Sequence, residues 1–172
     1  MDFMTLAKER YSVRKFSDKP VEKEKLDLIF RAAQVAPTAC NLQPQRILVI
    51  ESSEALKKLK SCTKCHFDAP MALLVCYDKD KSWKREYDND DSGQVDASIV
   101  TTQMMLQAAE IGLGTTWVAY FDPKAIREQF NLPTNYIPVA LLPLGYPDED
   151  SKPNSLHEKR DEIEKTVFYN SF

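Results

Sequence analysis

The chain has 172 residues and 43% hydrophobic content, enough to bury its own core and too much for a disordered polymer. A net charge of −3 and a pI near 5.5 argue against nucleic acid as the main partner. The longest apolar runs, "MALLVCY" and "VALLPL", are strand-sized and too short to cross a bilayer. With Asp2, Lys8 and Glu9 where an apolar leader would stand, the expectation is one domain over residues 1–172, soluble and cytoplasmic.

A short helix using Phe3, Leu6 and Ala7 is predicted first, followed by "RYSVRKF". There Arg10, Ser12 and Arg14 occupy every second position. In an extended segment they share one face, with the outer pair about 13 Å apart. Such a row is a surplus of donors suited to a long, acceptor-rich anion; a solvated polar edge is the alternative. "VEKEKLDLIFRAAQVAP" sets Leu26, Ile29, Phe30 and Ala33 at helical spacing and ends on Pro37. "RILVIE" and "ALLVCYD" read as buried strands separated by the helical "SEALKKLKS".

Residues 79–93 are charged and poor in aliphatics, so a surface excursion is expected. The longest helix is predicted over Val95 to Ile111, with a turn at Gly112 and Gly114. "TTWVAY" reads as a strand, "PKAIREQFN" as a helix opened by Pro123, and "IPVALLPLGYP" as the last strand. After Pro147 the chain turns polar, with Phe168, Tyr169 and Phe172 at its tip. A tail of this kind frays or lies along another surface, and its aromatics favour docking.

Only four glycines are present, so neither a Rossmann nor a P-loop phosphate cradle can be built. Any phosphate must be held largely by side chains such as those of the arginine row. "CTKCH" (Cys62 to His66) matches the attachment pattern for c-type haem. The context opposes it: no export signal precedes it, and Cys40, Cys76 and His157 are irregularly placed for zinc. Reduced thiols in a connecting loop are expected, with an oxidant-sensitive pair as the alternative.

Three segments in order carry a family likeness: "RYSVRKF", "APTACNLQPQRILVI" and "AAEIGLGTTWVAYFD". Together they resemble the FMN-dependent nitroreductase family, in particular its short members, over nearly the whole chain. The resemblance implies an α+β sandwich with a mostly antiparallel central sheet flanked by helices. It also implies an intertwined homodimer whose two FMN sites are each built from both subunits, with the tail over 148–172 docked on the partner.

By resemblance, Arg10 and Ser12 hold the ribityl phosphate and Arg14 reaches the pyrimidine edge. That matches a donor row facing a mononucleotide with a dianion at one end and carbonyls at the other. Pro37, Thr38, Ala39 and Asn41 match a segment that packs along the partner's flavin, with Thr38 and Ala39 replacing two serines. The backbone near Ala119 and Tyr120 is expected to offer an N–H to flavin N5. Arg160 matches a basic residue that closes on the phosphate; Glu158 stands where many members have a second one, and Lys159 is its candidate substitute. Lys64, in the "CTKCH" loop, is a candidate donor to the pyrimidine edge. Trp83 and Tyr87 either cover the flavin or pack beside it.

The implied activity is a ping-pong transfer of hydride from NAD(P)H through the flavin to an acceptor such as a nitroaromatic or quinone. The cofactor carries the chemistry, so no side chain is named as catalytic, and no metal is expected. The rival reading is an FMN-binding redox sensor or storage protein without significant turnover.

Overall fold

The computed structural model describes residues 2–172. Helix α1 (Phe3–Glu9) is capped by Asp2, whose carboxylate accepts the Thr5 N–H at 3.1 Å. Helices α2 (Lys23–Gln34) and α4 (Gly93–Glu110) pack together on one face of a sheet. Helices α3 (Ser53–Cys62) and α5 (Pro123–Gln129) cover the other face. The sheet holds β1 (Gln45–Ile50), β2 (Met71–Asp78), β3 (Gly114–Thr115) and β4 (Tyr136–Gly145) in the order β1-β2-β4-β3, antiparallel throughout.

Both faces of β2 and β4 are buried, which is why their sequences read as continuous apolar runs. Met71, Leu73 and Val75 face α2 and α4 with Ala140, Leu142 and Leu144. Ala72, Leu74 and Cys76 face α3 and α5 with Leu141. Alternation of period two thus feeds two cores from one strand pair. Each fully buried Leu or Ile contributes about 1.5–3 kcal/mol over the exposed state.

The predicted strand "TTWVAY" is shorter than expected. Gly114 and Thr115 pair with Gly145 and Leu144, and Val118 bridges Leu141. Between them Thr116 faces Pro143, which has no N–H to return, and the remaining Thr116 N to Pro143 O contact is 3.4 Å. The ladder therefore breaks at its middle rung. The turn prediction also divides: Gly112 adopts φ +79° after α4, whereas Gly114 serves close approach. A Cβ there would lie 2.6 Å from Val13 Cγ2.

Residues 79–92 form the expected surface excursion, tied internally by Arg85 to Asp88 and Asp90, while Gly93 is already the buried first residue of α4. Past Pro147 the chain is irregular save for a turn of 3₁₀ helix at Ile163–Lys165, and Phe168, Tyr169 and Phe172 are exposed. No helix among the described residues is long and apolar enough to cross a membrane.

Candidate functional site

The arginine row lies along the outer edge of the sheet. Val13 is buried; its N–H donates to Thr115 O at 3.0 Å and its carbonyl accepts the Thr116 hydroxyl. Ser12 and Thr115 form a parallel bridge, so the segment runs beside β3 in the same direction. This placement needs the missing Cβ of Gly114 described above. With Val13 turned inward, Arg10, Ser12 and Arg14 meet Tyr11, Asn154, Leu156, His157 and Arg160 around a cleft of about 300 Å³.

The electrostatics of this cleft are one-sided. Among the described residues, no carboxylate lies within ion-pair distance of Arg10, Arg14 or Arg160. Burial pushes the Arg10 guanidinium below its ordinary value, and the nearby Arg160 charge pushes it further in the same direction. Arg14 donates only to Ser12 O at 3.2 Å, and its guanidinium lies 5.9 Å from the Phe67 ring centre. That contact brings the "CTKCH" loop to the Arg14 end of the row.

The parallel register carries the same edge onward past Thr115 to Ala119 and Tyr120, both exposed. Neither N–H has a protein acceptor among the described residues, whereas Val118 N–H is taken by Leu141. Thr63 fixes the stretch from behind, its hydroxyl donating to Tyr120 O, and Asp122 N–H donates to Cys62 O at 2.8 Å. The edge thus offers a guanidinium, a hydroxyl and a second guanidinium from Arg10, Ser12 and Arg14, then bare backbone donors.

Pro37, Thr38, Ala39 and Asn41 do not line this cleft. They form a separate tight loop in which Cys40, Asn41 and Gln43 have φ near +50°. Thr38 Oγ1 accepts the Gln43 N–H at 3.1 Å. The loop is tied to α4 by Asp96, which no local motif marks: its carboxylate accepts from Ala39 N at 2.9 Å and Ser92 Oγ at 2.9 Å. Asp96 is buried in the first turn of α4, where the helix dipole favours a negative charge.

Arg160 reaches the cleft; Lys159 stays exposed outside it and is joined to Arg160 through its carbonyl. Lys64 lies with Tyr120 along a neighbouring groove. Tyr87 is fully exposed, and neither it nor Trp83 touches the cleft. The four cysteines are unpaired in this structure, and Cys62 is no loop residue. It ends α3, is buried in the second core and has its thiol pushed upward by burial. No cluster of metal-ligating side chains occurs among the described residues.

Comparison with known proteins identifies the family. The family model described as "Nitroreductase family" matches residues 7–69 and 62–146. A nitroreductase family protein from Clostridium difficile 630 superposes with TM-score 0.94 at 46% identity, covering 100% of both chains. An FMN-dependent nitroreductase from Clostridium difficile R20291 superposes at 0.82 with 32% identity, covering 99% of this chain and 100% of its own. The FMN reductase [NAD(P)H] of Bacillus subtilis is 29% identical over 158 residues, 81% of this chain and 64% of the relative. With the family model matching most of its residues and a 46%-identical structure superposing over all of it, the chain belongs to the nitroreductase family.

Proposed function

We propose that the protein is an FMN-dependent oxidoreductase that takes hydride from NAD(P)H and reduces an acceptor such as a nitroaromatic or quinone. The observation that carries this is the cleft in which Arg10 and Arg160 face each other with no carboxylate between them. A dianion between such like charges converts their repulsion into two attractions, and the row beyond supplies donors for the rest of an elongated ligand. Names among the relatives support the same cofactor and donor.

The residues fit the group. Arg10, Ser12 and Arg160 would hold the phosphate, and exposed Lys159 would add positive field at the rim. Arg14 would reach the pyrimidine edge, held level by its contact with Phe67. Ala119 or Tyr120 would give an N–H to N5, a donor already fixed by the Thr63 bond to Tyr120 O. Bound FMN supplies the two-electron chemistry; the chain binds, orients and polarises. No side chain need move a proton.

Pro37, Thr38, Ala39 and Asn41 lie away from the cleft of their own chain, and their loop is held rigidly by Asp96. This supports a homodimer in which each subunit lends that loop to the other's flavin, in the cytoplasm where NAD(P)H is available. The visible spectrum of the purified protein tests the cofactor. Arg10→Ala should weaken FMN by about 1.5–3 kcal/mol, the range for hydrogen bonds to charged groups. Unchanged affinity would remove the phosphate assignment. NAD(P)H oxidation with a quinone separates the enzyme from a sensor or storage protein, which would show none.

A further inference from the structure

The chain beyond Pro147 is fastened to the arginine row at three successive points. Lys15 Nζ pairs with Asp148 at 2.9 Å and Asp150 at 3.0 Å. The Tyr11 hydroxyl lies 3.2 Å from Ser151 Oγ and 3.3 Å from Ser151 O. His157 Nε2 lies 3.0 Å from Lys8 O, which can only accept, so Nε2 carries the proton. The Tyr11 and His157 rings meet edge to face with centres 6.3 Å apart.

Arg160 itself has no such fastening. Among the described residues its one hydrogen bond is to its own neighbour's carbonyl, and the group it approaches is the like-charged Arg10. Something other than attraction must keep it there. Only two residues separate it from His157, the last anchored position. Tyr11 contributes from the other side: it stands between Arg10 and Ser12 and touches both Ser151 and His157.

We infer that Tyr11 and His157 are positioning residues that clasp the tail so that Arg160 faces Arg10, and that they thereby set selectivity for a phosphorylated flavin over the unphosphorylated one. This rests on the FMN reading given above. The clasp opposes repulsion in the empty cleft, and a bound phosphate converts that repulsion into two attractions. A ligand lacking the phosphate gains nothing from the clasp.

The test titrates the flavin-stripped full-length protein with FMN and with riboflavin. Tyr11→Phe and His157→Phe should each weaken FMN about three- to tenfold, as expected for one neutral hydrogen bond, and leave riboflavin unchanged. His157→Gln, which keeps an N–H for Lys8 O, should recover most of the loss. In an Arg160→Gln background the same substitutions should add nothing, since they act through that guanidinium. Equal losses for both flavins, no loss for FMN, or full additivity with Arg160→Gln would each overturn the clasp. A wild-type protein that binds neither flavin would instead overturn the FMN reading, and the clasp with it.

Discussion

The Asp96 carboxylate accepts the Ala39 N–H at 2.9 Å, joining positions 57 residues apart in the chain. Ser92 Oγ is the other side-chain donor to this buried carboxylate, and no cation lies within ion-pair distance of it among the described residues. Asp96→Ala should cost about 1.5–3 kcal/mol in chemical denaturation, because it removes a charge-assisted acceptor from a part-buried N–H. Asp96→Asn keeps an acceptor oxygen and should cost less. Equal losses for the two variants would show that the bond to Ala39 is not what matters.

The tail is predicted to serve both the cofactor and the dimer. Ending the chain at Pro147 removes Arg160, Ser151 and His157 together with the exposed Phe168, Tyr169 and Phe172. Light scattering should show weaker dimerisation, and the purified truncated protein should retain less FMN. A truncated protein that remains dimeric with full flavin content would contradict both roles.

The two cysteines of "CTKCH" should prove unequal. Cys65→Ser is half-exposed and should shift stability by no more than about 0.5 kcal/mol. Cys62→Ser places a hydroxyl in a buried site and should cost more, although that hydroxyl can still donate to Lys58 O as the thiol does at 3.3 Å. Because burial raises the Cys62 thiol, little thiolate exists near neutral pH. The double variant should therefore keep its flavin spectrum and quinone turnover; selective loss of activity toward disulfide acceptors would reveal a redox pair.

Cys76 gives a pH dependence. Burial in β2 pushes its thiol from 9.0 up to about 12. Between those values the native chain keeps the proton and the unfolded chain loses it, so the stability this thiol contributes is complete below pH 9 and falls as pH rises toward 12. Urea titrations should show that Cys76→Ala, referenced to its own value below pH 9, loses stability less steeply over this range. An unchanged slope would mean that the thiol ionises freely in the native state.

The arginine row was legible because alternation survives in an extended segment whatever surrounds it, and β2 and β4 because burial on both faces leaves no polar positions. The helices announced themselves by spacing and by Pro37 and Pro123. What stayed hidden depends on partners distant in the chain. "TTWVAY" has good strand composition, but its ladder is interrupted by Pro143 on the neighbouring strand. Gly114 reads locally as a turn glycine, but its role depends on Val13 packed against it from a distant part of the chain. Asp96 and His157 carry no local signal, since their partners are Ala39 and Lys8.

An uncovered sheet edge is ordinarily a hazard, because its free N–H groups can recruit a strand from another molecule. Here residues 12 and 13 occupy the first part of that edge beside Thr115, and the gap at Pro143 keeps the rest from continuing as a regular strand. The bare stretch at Ala119 and Tyr120 is too short to template a neighbouring chain. It is long enough for a flat heterocycle. The same proline that weakens the sheet thus keeps this edge from becoming an aggregating one, and replacing it with a residue that restores the rung would lengthen the strand at the expense of that safeguard.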